Sequence, residues 1–94
     1  MKSIRFEWDK DKDRLNKDKH KISFDEATTV FYDFEALVIE DPEHSKEEER
    51  FIILGLSDIA NLLVVCHCYR ESETVIRIIS ARKATKTEEK YYRR

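Results

Sequence analysis

The sequence predicts an α+β domain, with an antiparallel sheet of four to five strands, two N-terminal helices and a short C-terminal helix. Three segments, residues 50–58, 61–71 and 74–82, are rich in β-branched and aromatic residues and are separated by turns short enough for antiparallel hairpins. Helix-start signals lie before and after this block. Such an order favours helices packed on one face of the sheet, which leaves the other face as a binding surface.

The first strand is predicted at residues 3–9, where apolar side chains alternate along one face: Ile4, Phe6 and Trp8. Residues 9–21 have the composition of a helix, but Leu15 is their only apolar residue. Packing gives such a helix little support, so we expect it to be solvated.

A core helix is predicted at residues 22–34. Ser23 and Glu26 have the spacing of a capping box, which places the start of the helix. The helix should end near Asp33. Its apolar residues recur at helical spacing and form one face: Phe24, Ala27, Val30, Phe31 and Phe34.

The remaining elements follow from breakers and caps. Residues 35–41 read as a short strand stopped by Pro42, and residues 42–49 as an acidic turn. After the three hairpin strands, Thr85 and Glu88 form a second capping box and open the final helix.

Length and composition indicate one domain over residues 1–94. The chain is 40% hydrophobic, which supports a core although charged residues also make up 40%. No apolar run approaches the roughly 18–20 residues of a membrane span, and no signal-peptide pattern is present. We therefore expect a cytoplasmic protein that does not bind membranes.

The net charge of −2 conceals a strong asymmetry. Residues 1–21 hold eight Lys and Arg against five Asp and Glu, whereas residues 22–58 hold two against eleven. Residues 59–94 hold eight against four. Two basic ends flanking an acidic middle permit one basic and one acidic face after folding.

Alternation along the last two strands groups the polar side chains. A two-residue turn between Glu71 and Thr74 would pair Val65 with Ser80 and set the faces of the sheet. One face would then carry Arg70 and Arg77, and the other would carry His67, Tyr69, Ser80 and Arg82.

The stretch Cys66-His67-Cys68 has two interpretations. Cys66 and Cys68 share one face of a strand and His67 the other, so buried thiols in a reducing compartment are the expected interpretation. A zinc-binding regulator is the alternative, although a zinc site needs four converging ligands. We expect no metal and no other cofactor.

Seven segments in order resemble the BrnT family of toxins. They are FEWD (6–9), Asn16 with Lys19-His20, SFDEATTVF (23–31), EDPEHSKEEERF (40–51), LGLS (54–57), LLVV (62–65) and RIISARKAT (77–85). One departure is Lys21, where the family usually has a glycine suited to a helix stop at positive φ.

This resemblance implies a RelE-like fold and a small ribonuclease that arrests translation by cutting RNA without a metal. It also implies a cognate antitoxin with a ribbon-helix-helix DNA-binding domain, and a toxin–antitoxin hetero-oligomer. A non-catalytic module that binds RNA or the antitoxin is the alternative function.

A metal-free ribonuclease must activate the 2′-hydroxyl, stabilise charge on the phosphate and protonate the leaving 5′-oxygen. From the resemblance, Arg82 and Arg50 would bind phosphate. His20, assisted by Lys19, would be the first acid–base candidate. The full set of implied catalytic residues is Lys19, His20, Arg50, His67, Tyr69 and Arg82, and the implied RNA-binding residues are Arg77, Ser80 and Lys83.

Each of these residues also has a purely structural interpretation. Arg82 could anchor the final helix through Glu88 or Glu89, and Arg50 could pair with a carboxylate in residues 47–49. Lys19-His20 could be a solvated helix end, and His67 a half-buried histidine.

Overall fold

The computed structural model describes residues 3–43 and 48–93. The elements in chain order are β1 (Arg5–Glu7), α1 (Lys10–His20), α2 (Phe24–Thr29), a 3₁₀ turn (Val30–Tyr32), β2 (Leu37–Glu40), β3 (Phe51–Leu56), β4 (Leu62–Arg70), β5 (Val75–Lys83) and α3 (Lys86–Tyr92). The predicted α+β class and order of elements are confirmed. Residues 44–47 of the predicted acidic turn lie outside the described residues.

The five strands form one sheet in the order β1-β5-β4-β3-β2. Neighbouring strands from β2 to β5 are antiparallel, but β1 pairs with β5 in parallel. The prediction of a purely antiparallel sheet is therefore wrong. The reason is that the chain between β1 and β5 includes two helices and crosses the whole sheet, so no hairpin constrains the direction of β1.

One face of the sheet is covered by α1, α2 and the 3₁₀ turn, and we call it the helix-covered face. Its sheet residues are Ile53, Leu63, Val65, Ile76, Ile78 and Ala81, and they pack with Ile22, Phe24, Ala27 and Val30 from the helical segment. The opposite side, which we call the open face, carries Ile52, Leu54, Val64, Cys66, Ser80 and Arg82. No helix among the described residues is long and apolar enough to cross a membrane.

The core helix departs from its predicted pattern at its end. Ser23 accepts a hydrogen bond from the Glu26 N–H, as expected for an N-cap. The Glu26 carboxylate instead accepts from Ser57 and Asn61, so the reciprocal half of the capping box is absent. Because Asp33 is extended, Phe34 leaves the helical face and is fully exposed. The prediction that Phe34 joins the core is wrong.

α1 is held by an amide rather than by apolar packing. Leu15 is 62% exposed, whereas Asn16 is 7% exposed. The Asn16 Oδ1 accepts from the Ala81 N–H at 3.1 Å, and its Nδ2 donates to the Ala81 carbonyl at 2.7 Å and the Ile22 carbonyl at 2.9 Å. Beyond Arg77 no described strand pairs with the outer edge of β5, and the Asn16 side chain occupies a strand's place there.

The helix then stops at a left-handed residue. Lys21 has φ 63° and ψ 25°, and its N–H donates to the Lys17 carbonyl. Most side chains disfavour this conformation, which explains why glycine suits the position in the family pattern. Lys21 adopts this left-handed conformation here. The next residue is Ile22, whose carbonyl accepts the hydrogen bond from Asn16.

A β-bulge separates the two halves of the β4–β5 ladder. His67 pairs with Ile78, as the sequence predicts, but Cys66 pairs with Ser80, so Ile79 has no partner in β4. The predicted pairing of Val65 with Ser80 is wrong, because β5 has one extra residue at the bulge. After this residue, each β5 side chain points to the face opposite the one that regular alternation predicts. Ser80 and Arg82 therefore share the open face with Arg77, and His67 lies on the helix-covered face.

We expect Asn16→Ala to lower the free energy of unfolding by about 3 kcal/mol, because it leaves three buried backbone groups without partners. The matched control is the neighbouring Leu15→Ala, which removes an exposed side chain and should change stability by less than about 0.5 kcal/mol. Urea denaturation of both variants measures the difference. Equal midpoints for Asn16→Ala and Leu15→Ala would show that the amide does not hold α1.

Candidate functional site

A concave cleft of about 470 Å³ lies on the open face. It is built where β3, β4 and β5 run side by side, and the segment that follows β2 closes one end. Two arginines predicted to bind phosphate, Arg50 and Arg82, line it together with Ser80. The other lining residues are Asp41, Pro42, Glu43, Ile52, Val64, Cys66 and Ile79. The fold thus brings Arg50 close to Ser80 and Arg82, which lie at least 30 positions later in the sequence.

Arg82 presents its guanidinium as a two-pronged donor. Nη1 and Nη2 donate to Oε1 and Oε2 of Glu88, each at 2.8 Å. The hydrogen bond from Arg82 holds the pKa of Glu88 down to about 2, and Glu88 in turn raises the pKa of Arg82. Two carboxylate oxygens occupy the fork in the geometry that two phosphate oxygens would use. The alternative, structural interpretation of Arg82, an ion pair that anchors the final helix through Glu88, is confirmed.

α3 is fixed at both ends, which keeps Glu88 in place. Thr85 and Glu88 form the predicted capping box at its start. At its end the Tyr92 hydroxyl donates to Asp33 at 2.6 Å, and this bond raises the pKa of Tyr92 to about 12. The helix therefore borders the open face as a fixed rim.

Arg50 belongs to a chain of ion pairs along the open face. Its Nε lies 3.4 Å from Glu48, whose other oxygen accepts from Arg70 at 2.9 Å. Glu7 links Arg70 at 3.8 Å with Arg77 at 3.0 Å. Three arginines share two carboxylates, so this network has a net positive charge. All of its members are partly exposed, where an ion pair contributes only about 0–1 kcal/mol.

His67 does not reach the cleft. It is 0% exposed and packs among the rings of Phe31, Phe51 and Tyr69, with centroid distances of 4.8, 6.1 and 5.4 Å. Nδ1 lies 3.3 Å from the Val65 carbonyl, and Nε2 has no hydrogen-bond partner among the described residues. Burial lowers the pKa of His67, so the imidazole stays neutral. The prediction that it shares a face with Ser80 and Arg82 is wrong.

Tyr69 follows His67 onto the helix-covered side. Its ring contacts Phe51 at a centroid distance of 5.3 Å and lines a separate recess beside the Glu71–Glu73 turn. Burial, with a smaller contribution from Glu73, raises the pKa of Tyr69. The sheet therefore separates Tyr69 from Arg82.

Lys19 and His20 form the last turn of α1. The helix starts near Arg77 and contacts β5 at Ala81 through Asn16, so it runs in the direction of β5. Its last turn therefore lies towards the end of β5 that carries Lys83. Neither Lys19 nor His20 makes a side-chain hydrogen bond or ion pair with another described residue. Lys19 is exposed and His20 is partly exposed, so both are accessible.

The thiols do not suit a metal. Cys66 and Cys68 point to the open face, away from His67, and burial raises the pKa of both. Across residues 3–43 and 48–93, no group of three or more His, Cys, Asp or Glu side chains is placed to hold a metal ion. These residues do not support the zinc alternative.

The sequence interpretation missed the network that links Arg50 with Arg77. Strict alternation places its central residue, Arg70, on the face opposite Arg82, because alternation takes no account of the bulge. One feature of the sequence indicates the bulge: the polar Ser80 directly follows Ile78 and Ile79. Strict alternation would put these two isoleucines on opposite faces, although only one face of the strand is buried.

Comparison with known proteins finds a matching family model and a similar solved structure. A family model described as the ribonuclease toxin BrnT of a type II toxin–antitoxin system matches residues 8–88. The 1.1 Å crystal structure of the Brucella abortus ribonuclease toxin BrnT is similar in fold, with a TM-score of 0.68 and 24% identity over 89% of this chain and 100% of that one. No curated protein sequence matches this chain.

The family match over residues 8–88 covers nearly all of the motif segments, from Trp8 to Thr85. The family model covers far more than half of the sequence. The chain therefore belongs to the BrnT family, the ribonuclease toxins of type II toxin–antitoxin systems.

Proposed function

We propose that this chain cleaves RNA at the open-face cleft without a metal ion and thereby inhibits translation. We class its fold as RelE-like and infer that its antitoxin carries a ribbon-helix-helix domain. The observation that carries the proposal is the convergence of Arg50, Ser80 and Arg82 on one cleft of about 470 Å³. Guanidinium groups cannot lose their proton at neutral pH and match the oxygens of a phosphate, so they suit the stabilisation of charge on it.

The phosphate is expected to enter by exchange with Glu88. The Arg82–Glu88 pair is partly exposed, and an exposed ion pair contributes little net free energy. A phosphate carries the same two-oxygen geometry and can make the same pair of hydrogen bonds. Glu88 thus keeps the Arg82 fork in position until RNA replaces it. Ser80 adds a hydroxyl donor on the same face.

In this proposal His20 acts as the general acid or base, and Lys19 lies beside it. His20 is the one described histidine that solvent reaches, since His67 is fully buried. Both residues lie towards the end of β5, whose outer edge pairs with no described strand beyond Arg77. RNA that passes around this edge would meet Lys83 and then Arg82. Arg77 serves the flanking backbone, and neither His67 nor Tyr69 has a role at the cleft.

A non-catalytic module that binds RNA or the antitoxin is the second candidate. One observation favours it: Arg50, Arg77 and Arg82 are all paired with carboxylates, so none presents a free guanidinium among the described contacts. Cleavage assays separate the two candidates.

Incubation of the purified protein with RNA in EDTA should give fragments with 2′,3′-cyclic phosphate ends. Arg82→Ala should slow cleavage by about 10²–10³-fold, because it removes a fixed donor to the phosphate. Arg14→Ala, which removes an exposed cation from α1, should cleave normally. Intact RNA under conditions where the protein binds it would favour the non-catalytic module.

The two histidines are distinguished by a paired substitution. His20→Ala should slow cleavage by about 10²-fold or more, as expected for loss of a general acid or base. His67→Phe should leave cleavage unchanged, because an apolar ring replaces a buried imidazole whose Nε2 has no partner among the described residues. Rates are measured on RNA, with thermal melting of both variants as the folding control. Loss of cleavage in His67→Phe with normal melting would contradict the assignment.

Glu88→Gln tests the exchange step and has a pH signature. Folding lowers the pKa of Glu88 from 4.5 to about 2, so its contribution to stability is present above pH 4.5 and is lost as pH falls towards 2. After allowance for exposure, Glu88→Gln should cost about 1 kcal/mol at pH 7. The cost should shrink below pH 4.5, as followed by urea denaturation, while cleavage persists because Arg82 remains. A pH-independent cost would show that the charge of Glu88 is not what stabilises the fold.

A further inference from the structure

β2 forms one outer edge of the sheet, and its free side is well defined. The Asp41 N–H donates to the Arg50 carbonyl at 2.8 Å, and Ile39 pairs with Ile52 two residues earlier. In an antiparallel ladder the bonded pairs alternate, so the backbone groups of Val38 and Glu40 point away from β3. Among the described residues no strand lies on that side of β2.

This edge exposes apolar side chains that natural edges usually avoid. Val38 is 51% exposed, Ile39 is 61% exposed, and Phe34 just before them is fully exposed. Exposed edges are commonly protected by lysine, by proline or by cover from another segment. Pro42 follows the strand, but Leu37–Glu40 itself contains neither residue type. The edge therefore has the features of a binding site for an additional strand.

Charge indicates which kind of strand fits. Residues 33–43 contain five carboxylates and no Lys or Arg. Glu35, Glu40 and Glu43 are exposed. Two copies of this edge would bring like charges together, which opposes self-association, whereas a strand with apolar side chains and flanking Lys or Arg would be attracted.

The same edge leads to the proposed catalytic arginine. Leu37 and Ile39 point to the open face and line a groove of about 470 Å³ that runs between the sheet and α3. The groove ends at Arg82 and Glu88. Its remaining lining is apolar and comprises Ile52, Leu54, Val64 and Tyr91. A strand added to β2 would place alternate side chains over this groove.

We propose that the outer edge of β2 binds an extended, basic segment of the cognate antitoxin as a sixth strand. Apolar side chains of that strand fill the groove, and the strand covers the approach to Arg82. The inhibitory consequence rests on the proposed role of Arg82, whereas the strand pairing itself does not.

Amide hydrogen exchange tests the pairing in the complex formed with the cognate antitoxin. The Val38 and Glu40 amides should exchange fast in the free toxin and become protected in the complex, whereas the Ile39 amide should be protected in both. Unprotected Val38 and Glu40 amides in a formed complex would overturn the proposal. Protection of both in the free toxin, with the mass of a dimer, would also overturn it by identifying a second copy as the occupant.

A matched pair of variants gives an independent measurement. Val38→Pro removes an N–H that points away from β3, and Val38→Thr keeps it with a similarly branched side chain. Val38→Pro should weaken antitoxin binding at least tenfold relative to Val38→Thr, while both cleave RNA like the original protein. Equal antitoxin affinities would reject the pairing. If Val38→Pro fails to fold, the exchange experiment on the unsubstituted protein still decides. Absence of RNA cleavage by the free toxin would instead reject the proposed function and leave the exchange result valid.

Discussion

The hydrogen bonds of Asn16 are the interaction on which the rest of the structure depends. One carboxamide satisfies both backbone groups of Ala81 and also the Ile22 carbonyl. It closes the uncovered edge of β5, holds a helix that has no buried apolar residue, and fixes the chain where it enters α2. Asp13 adds a second link, since its carboxylate accepts from the Phe24 N–H at 2.9 Å. Asn16 thus makes the backbone hydrogen bonds that a neighbouring strand would make to β5. It also attaches α1 to the sheet, which apolar packing would otherwise do.

The bulge at Ile79 has a similar effect on the candidate cleft, because it sets which β5 side chains reach it. A regular ladder would put Arg77 and Arg82 on opposite faces, and Arg82 beneath the helices. The extra residue turns the last part of β5 over, so that Arg77, Ser80 and Arg82 all face the side that the N-terminal helices leave open. Bulges often re-aim side chains near functional sites, and here the change costs only one unpaired residue.

Much of the fold could be predicted from the sequence, because periodicity and caps are local signals. Ser23 and Thr85 mark helix starts, and the hairpin register near Tyr69 follows from the strand pattern and the turn. The bulge, the parallel pairing of β1 and the burial of Asn16 depend on contacts between distant segments, such as the 65 positions between Asn16 and Ala81. The candidate cleft was therefore predicted in its residues Arg50, Ser80 and Arg82 but not in its geometry, and His67 was placed on the wrong face.

The paired state of the arginines is compatible with a catalytic surface. A long side chain loses rotamer freedom when it binds a ligand, and this loss costs free energy. An ion pair with a neighbouring carboxylate restricts the side chain before the ligand binds. Glu48 and Glu7 do this for Arg50, Arg70 and Arg77, and Glu88 does it for Arg82. Because these pairs are partly exposed, the carboxylates would remain hydrated if a phosphate replaced them, so the proposed exchange would not leave a buried charge unpaired. The proposed RNA-binding surface can thus keep its donors oriented before a phosphate binds and still release them to it.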